Sequence, residues 1–370
     1  MTVVCGLLLL DVLVFVHELG HFLAARACGV AVESFSIGMG PVLAHRKVGG
    51  TDWRVSLFPV GGYCGMKGER DAGAEGEFVA HGADSLPGAR PLFRAAIGLA
   101  GPLANAAFAF LAHSVVAWAG YTYYAAGNTI TLATDERPGM RSAAAEAGLL
   151  SGDTVVRIGG REISDFSDLY AEVAVNPDAD LEFEVERGGE RMVFTVHTDF
   201  DRSSGTGRIG VLSDPASVQR REAERLAFLP GLARGARETL GTVRLTLRGV
   251  ALLFRGADVM RSVGGPARIT TMLGGTARAG FSEGLRTGVC AALEFMALVS
   301  VSLFIMNLLP VPILDGYLVL TSLAEAVFGV RVPARARAVA QYAGLVLIAL
   351  LFAVAMAGDI TYFRGVFAKE

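Results

Sequence analysis

The sequence has too little charge for an ordinary soluble protein. Asp, Glu, Lys and Arg make up 19% of its 370 residues, whereas 52% are hydrophobic and the mean hydropathy is +0.46. Soluble domains carry about 25% charged residues. The net charge of −3 comes without a basic stripe, so nucleic acid is not an expected partner. This composition is typical of a membrane protein.

Cysteines are also few, and their spacing excludes two common uses. No Cys-x-x-Cys pair occurs, which argues against a zinc knuckle and against a disulfide framework. The four cysteines are Cys5, Cys28, Cys64 and Cys290. No Lys or Arg precedes the first apolar run and polar residues interrupt it, so we interpret that run as a retained helix rather than a secretory signal.

Four apolar segments are long enough to cross a hydrocarbon core of about 30 Å, and they cover approximately residues 3–25, 95–120, 286–309 and 338–358. We predict a multi-pass α-helical membrane protein with about four transmembrane helices, a membrane-associated β-hairpin region and an inserted α+β domain. The predicted order is span 1–26, cytoplasmic loop 27–93, span 94–125, extracytoplasmic domain 128–200, extracytoplasmic linker 201–283, span 284–316, cytoplasmic loop 317–337 and span 338–360.

The basic residues of the short loops predict the orientation. Eight Lys and Arg residues lie between or beside the first two spans, and Arg331, Arg335 and Arg337 lie between the last two. Cytoplasmic loops carry such an excess, so we expect the N-terminus outside and both of these loops inside. Arg364 and Lys369, at the outward end, run against this pattern.

The first cytoplasmic loop contains short β-type runs broken by glycine. They are Ser34–Ile37, Trp53–Phe58 and Pro59–Tyr63, which predict a hairpin or small sheet. Its apolar residues would let it enter the membrane where protein or a cavity shields its backbone. The alternative is an ordinary cytosolic hairpin.

From about residue 129 to residue 199 the composition becomes that of a soluble domain. Strands at Thr154–Ile158 and Leu181–Glu186 and a helix near Phe166–Ala174 predict a small α+β fold. The run from Ser142 to Asp153 resembles a bacterial, circularly permuted PDZ domain. PDZ domains bind extended peptide ends by strand addition, although a steric gate or spacer is an equal alternative here.

After this domain, the stretch from Gln219 to Phe254 has Leu and Val at helical spacing among arginines. It predicts an amphipathic helix, either on the outer membrane surface or against the spans. A solvated helix that packs on the PDZ-like domain is the alternative.

The first span carries His17, Glu18 and His21 in the pattern His-Glu-x-x-His. Residues four apart share a helix face, so the two imidazoles can bind one tetrahedral ion, while Glu18 can take a proton from a metal-bound water. Three polar groups in an apolar span are costly unless they pair, line a cavity or hold an ion. The alternative is that contacts with other helices satisfy them.

A catalytic zinc needs a third protein ligand and keeps one position for water. Asp315 is the candidate, because it follows the third span after two prolines that break the helix, at the same expected depth as His21. A plain interfacial turn at Asp315 and Gly316 is the alternative. Two imidazoles and one carboxylate would reduce the charge around a divalent ion to about +1, which Glu18 can offset.

These motifs together resemble the bacterial zinc site-2 proteases, which are intramembrane metalloproteases. The matching stretches follow the family order over nearly the whole chain, and they are His17–His21, Val32–Gly40, Phe58–Tyr63, Gly101–Asn105 and Asn307–Gly316. The resemblance implies Zn²⁺ on His17, His21 and Asp315, with Glu18 as the general base. It also implies that Asn307 and the strand at Gly61 and Gly62 hold the substrate backbone.

The resemblance further implies a multi-pass protein of the bacterial inner membrane, in contact with lipid, with an extracytoplasmic PDZ-like domain and an active site near the cytoplasmic side. We therefore expect an intramembrane zinc metalloendopeptidase that cleaves single-span membrane proteins, in regulated intramembrane proteolysis of anti-sigma factors or in removal of signal-peptide remnants. One departure is that a single PDZ-like unit is found, whereas the best-known enterobacterial relatives have two. The alternatives are an inactive PDZ-bearing scaffold and a metal-binding or transport protein.

Overall fold

The computed structural model describes residues 2–69, 82, 84–136, 139–201, 206–214, 217–253 and 265–367. The helices in this part of the chain are α1 (Thr2–Ala27), α2 (Pro91–Ala119), α3 (Ala133–Glu136), α4 (Ala143–Glu146), α5 (Phe166–Ala174), α6 (Phe228–Leu253), α7 (Pro266–Ser282), α8 (Leu285–Asn307), α9 (Asp315–Phe328) and α10 (Ala334–Phe367).

The strands are β1 (Val32–Val48), β2 (Thr51–Met66), β3 (Thr122–Ala125), β4 (Ile130–Leu132), β5 (Thr154–Ile158), β6 (Arg161–Glu162), β7 (Asp180–Arg187), β8 (Glu190–His197), β9 (Asp199–Asp201), β10 (Thr206–Arg208), β11 (Val211–Ser213) and β12 (Gln219–Glu222). The chain forms two compact units. One comprises Met1–Ala119, Arg225–Val243 and Gly264–Glu370, and the other comprises Gly120–Glu224 and Arg244–Val263.

In the described part of the first unit, four helices are long and apolar enough to cross a membrane. They are Val3–Ala27, Pro91–Ala119, Leu285–Asn307 and Arg335–Arg364. These helices correspond to the four predicted spans, although the third ends at Asn307 rather than at residue 316, and the protein is membrane-embedded. The predicted end of the second span at residue 125 is corrected, because α2 ends at Ala119. Gly120 has a φ of +57°, a left-handed conformation that stops the helix, and β3 follows.

Two further helices of this unit lie in segments that were predicted as a loop and a linker. α9 occupies part of the predicted loop 317–337, where Leu318 and Val319 pack on Gly98 of α2, and it ends at Phe328, before Gly329 with a φ of +68°. α7 lies in the predicted linker 201–283 and buries Leu273 in a cluster with Leu13 of α1. Both helices are explained by this packing, which the sequence-based boundaries did not include.

α7 is also fixed at its N-terminus by a residue of α10. The backbone amides of Gly265, Ala267 and Arg268 donate to the Asp359 carboxylate at 2.9, 3.0 and 3.2 Å. A carboxylate is favourable there because these amides have no intrahelical acceptor. This cap joins α10 to α7.

The amphipathic helix predicted from Gln219 to Phe254 is shorter than expected. Its first residues form β12, which pairs with β3, and α6 begins at Phe228. Within the first unit, α6 packs against α2: the backbone of Gly235 lies close to Ser114, and Thr239 bonds His113 at 3.0 Å. Phe254 lies outside the described residues.

β1 and β2 form the predicted hairpin, and both strands are longer than the predicted runs. The base of the hairpin is buried against α1, where Phe35 is fully buried and its ring lies 5.6 Å from that of Phe22 and 4.8 Å from that of Trp53. The outer part exposes large apolar side chains, among them Leu43 and Phe58. Exposed apolar surface of this kind is typical of a membrane or protein contact.

The second unit is a small α+β structure around an antiparallel sheet with strand order β6-β5-β7-β8. The predicted strands and helix lie in β5, β7 and α5. Val155 and Phe183 are fully buried in its core. Asp153, at the end of the Ser142–Asp153 run, is 1% exposed and bonds Arg187 at 2.7 Å. Burial opposes ionisation of Asp153, but bonds from Arg187 and from the Leu150 amide outweigh it and lower the pKa.

Candidate metal centre

α1 presents the His-Glu-x-x-His residues to α2 at a very close helix crossing. A side chain at Gly20 would meet the backbone of Ala100, and the β-carbon position lies only 2.8 Å from the Ala104 methyl. Glycine within the motif therefore lets α1 approach α2 until His21 is 6% exposed. The local sequence thus explains both the spacing of the imidazoles and their burial.

Asp315 reaches the imidazoles because the chain turns sharply after α8. α8 ends at Asn307, and α9 begins at Asp315 itself. A side chain at Gly316 would collide with the carbonyls of Leu308 and Leu309, so only glycine permits this turn. Ile313 has a φ of +87°, which is rare for a β-branched residue and marks a strained backbone two residues before the carboxylate.

Three side chains converge at this point. His17 Nε2 lies 3.1 Å from Asp315 Oδ2, His21 Nε2 lies 3.3 Å from Asp315 Oδ1, and the two Nε2 atoms are 3.2 Å apart. Tetrahedral coordination of zinc with bonds of about 2.0–2.1 Å separates ligand atoms by about 3.3–3.4 Å. The donor atoms and their spacing therefore fit a zinc ion.

The backs of both imidazoles contact α2, which sequence reasoning did not assign to the site. His21 Nδ1 lies 2.8 Å from the carbonyl oxygen of Ile97, and His17 Nδ1 lies 3.2 Å from the amide of Asn105. The ring of His21 also covers Gly101, where a β-carbon would be 2.6 Å from Cε1. The Gly101–Asn105 stretch was the signal available in the sequence, but its contacts depend on how α1 and α2 cross.

Glu18 lies on the flank of the histidine pair and faces β2. Its carboxylate faces the backbone amide of Cys64, and its Cγ lies 3.6 Å from the β-carbon position of Gly62. Gly62 pairs with Ile37 of β1. A strand of the hairpin therefore runs beside the acid that the sequence places next to the histidines.

The three predicted substrate-binding residues are placed differently. Gly62 is beside Glu18, whereas Gly61 has a φ of +88° and lies against Met39. Asn307 is half-buried at the end of α8, and among the described residues no hydrogen bond joins it to His17, Glu18 or Asp315. The structure thus brings one of the three directly to the site.

A comparison with protein-family models shows the family of the chain. The model described as "Peptidase family M50" matches residues 5–351. The chain belongs to peptidase family M50. A protein of Treponema pallidum (strain Nichols), named "Putative zinc metalloprotease", is 33% identical over 97% of this chain and 99% of its own length. Proteins with names of the same form from Agrobacterium fabrum and Campylobacter jejuni are 33% and 31% identical, over 97% of this chain and 95% and 93% of their own lengths.

Membership of M50 identifies the class of enzyme and its metal. M50 enzymes are site-2 type zinc metalloproteases, and the relatives are named for the same activity. The expected zinc metalloprotease of the site-2 type and the expected Zn²⁺ cofactor are therefore confirmed. Among the described residues, the cluster of His17, His21 and Asp315 is the group of metal-binding side chains with suitable geometry.

Proposed function

We propose that this M50 enzyme is an intramembrane endopeptidase whose zinc is held by His17, His21 and Asp315, with Glu18 as the general base. The observation that carries the proposal is the convergence of three ligand side chains, whose nitrogen and oxygen atoms lie 3.1–3.3 Å apart, on or beside helices that are long and apolar enough to cross a membrane. Zinc bound there would polarise the scissile carbonyl and bring the pKa of a bound water toward about 7.

The protein's own residues supply the proton transfer. The Glu18 carboxylate takes a proton from the attacking water and delivers it to the nitrogen of the departing amine, which is the ordinary work of a general acid–base group. Ile97 holds the His21 ring in place through Nδ1. Because Glu18 belongs to the same helix turn as both histidines, its distance to the metal-site atoms is set by local helix geometry.

The substrates we propose are single-span membrane proteins, cleaved within the bilayer. A substrate helix hides its amides in internal hydrogen bonds, so cleavage requires a few residues to unwind. The β2 segment at Gly62, beside Glu18, is suited to pair with the unwound backbone by strand addition. We also propose that Gly61, and Asn307 at the end of α8, bind the substrate backbone.

The remaining expectations belong to this proposal. We propose a bacterial inner-membrane location, with the second unit acting outside the cytoplasm as a PDZ-like peptide binder or gate and the exposed hairpin side chains in contact with lipid. Two loops support this orientation by their Lys and Arg residues: the loop that contains the hairpin and the loop that contains Arg331. The proposed roles are regulated intramembrane proteolysis of anti-sigma factors and removal of signal-peptide remnants.

The proposal is tested with purified protein and a single-span reporter in liposomes. We expect one zinc per chain in the wild type, retained zinc with loss of cleavage in Glu18→Gln, and loss of both in Asp315→Asn. Glu190→Gln, at an exposed position of β8, is the matched control and should behave as the wild type. Unchanged cleavage in Glu18→Gln would remove Glu18 from the mechanism. Zinc uptake into the liposomes that does not depend on Glu18 would favour a transporter.

A further inference from the structure

Asn105 is a polar residue held completely inside the helix bundle, directly behind His17. Its exposed fraction is 0%, and its side-chain nitrogen is placed 3.2 Å from His17 Nδ1. Its backbone carbonyl accepts a hydrogen bond from the Ser300 hydroxyl of α8 at 2.9 Å. Asn105 of α2 therefore contacts α1 through its side chain and α8 through its backbone.

The placement of that amide conflicts with the proton on His17. His17 Nε2 points at Asp315 and His21, so it must offer its lone pair there if it is to bind a cation. A neutral imidazole with a free Nε2 lone pair carries its proton on Nδ1. The Nδ1 proton would then face the NH₂ group of Asn105, and two donors would oppose each other.

A second observation points to the same conflict. Asn105 Oδ1 is buried and has no hydrogen-bond partner among the described residues. Buried polar atoms without partners are rare and costly. The oxygen and nitrogen of an Asn amide are nearly indistinguishable in shape, so exchanging them is an allowed reassignment. The exchange places Oδ1 opposite the Nδ1 proton, so the two donors no longer oppose each other and Oδ1 gains a hydrogen-bond partner.

We propose that Asn105 presents its carbonyl oxygen to His17 and is a positioning residue of the zinc site. It accepts the Nδ1 proton, fixes the tautomer that leaves Nε2 free for metal, and holds the ring in its orientation. The same arrangement is present at His21, whose Nδ1 faces the Ile97 carbonyl at 2.8 Å. α2 thus supplies one acceptor behind each histidine. The inference rests on the proposed role of His17 as a zinc ligand.

Mutation of a residue that hydrogen-bonds the other ring nitrogen of a metal-binding histidine typically weakens metal binding by about 10–100-fold. We therefore expect Asn105→Leu, which keeps the size of the side chain and removes the acceptor, to weaken zinc binding by about that factor. Asn105→Asp keeps an acceptor oxygen and should bind zinc nearly as tightly as the wild type. A purely structural role would not distinguish these variants by acceptor chemistry.

The experiment measures zinc affinity of the full-length protein in detergent by competition with a chelator, alongside thermal unfolding. Ser114→Ala is the matched control, because Ser114 is a fully buried polar residue of the same helix whose hydroxyl bonds Phe110. Its zinc affinity should equal that of the wild type. If Asn105→Leu does not fold, Asn105→Ala removes the amide without added bulk and gives the same comparison.

Two results would overturn the inference. One is wild-type zinc affinity in Asn105→Leu or Asn105→Ala. The other is an Asn105→Asp protein that folds but binds zinc as weakly as the variant without an acceptor. A wild-type protein that binds no zinc in a one-to-one ratio would instead reject the proposed function, so the two failures are distinguishable.

Discussion

Replacing Gly101 by Ala should damage the metal centre although the same change normally favours a helix. Gly101 lies inside α2, where Ala is preferred over Gly by about 1 kcal/mol. A methyl group at this position would lie 2.6 Å from Cε1 and 2.7 Å from Cδ2 of His21, and closer still to Nε2. Because carbon atoms in contact are about 3.5–4.0 Å apart, the ring would have to move by roughly 1 Å.

The His21 ring has little room for that movement. Its side chain is 8% exposed, and Nδ1 is bonded to the Ile97 carbonyl. Metal–ligand distances are acceptable within about 0.2 Å, so a displacement of roughly 1 Å removes His21 as a ligand. We expect Gly101→Ala to lower zinc affinity more than 100-fold. Mutations of residues that hydrogen-bond the metal ligands typically lower it by only about 10–100-fold.

The assay is chelator competition, with thermal unfolding of the metal-free protein measured in parallel. Gly275→Ala in α7 is the control, since a β-carbon there meets nothing within 4 Å. It should leave zinc affinity unchanged and stabilise the protein by up to about 1 kcal/mol. Zinc binding in Gly101→Ala within a few-fold of the wild type would refute the geometry described for His21 and α2.

Three further predictions concern stability. Arg94 and Glu325 form an ion pair between α2 and α9 with side chains 9% and 12% exposed, and Glu325 also bonds Arg331. Breaking a buried ion pair costs about 3–5 kcal/mol. Because Arg331 remains bonded to Glu325, we expect Arg94→Gln to destabilise the protein by only about 1–3 kcal/mol, as measured by thermal unfolding. An unchanged stability would contradict the pairing. The lowered pKa of Asp153 means that its contribution to the second unit is present above its unfolded pKa of about 3.9 and is lost as pH falls through the folded value. Acid unfolding should therefore be less steep in Asp153→Asn, and equal steepness would show that another group controls it. When free zinc is present at 100 times its dissociation constant, removing it should lower the free energy of unfolding of the wild type by about 2.7 kcal/mol. The same removal should change almost nothing in Asp315→Asn, as measured by thermal unfolding with and without chelator.

The sequence predicted the elements that depend on local patterns. Four apolar runs gave the spans, and a four-residue spacing gave the shared face of His17 and His21. Asp315 was found because two prolines and Gly316 mark a turn at the end of a span. In each case the signal lies within a few residues of the feature itself.

The contacts that were missed depend on distant parts of the chain. Asn105 and Gly101 contact His17 and His21 only because Gly20 permits a close crossing of α1 and α2. α7 was missed because its buried face consists partly of small residues, which carry little hydropathy. That face is nevertheless periodic, with Thr270, Leu273, Gly274, Ala277 and Gly280. This spacing was the available signal.

Zinc X-ray absorption spectroscopy can show whether two imidazoles and one carboxylate hold a single zinc ion. In wild-type protein loaded with one zinc, we expect two imidazole nitrogens at about 2.0–2.1 Å together with oxygen ligands, without sulfur. Asp315→Asn should change this spectrum or lose the metal. A spectrum with fewer than two imidazoles, or one that Asp315→Asn leaves unchanged, would show that His17, His21 and Asp315 are not the ligands of the zinc.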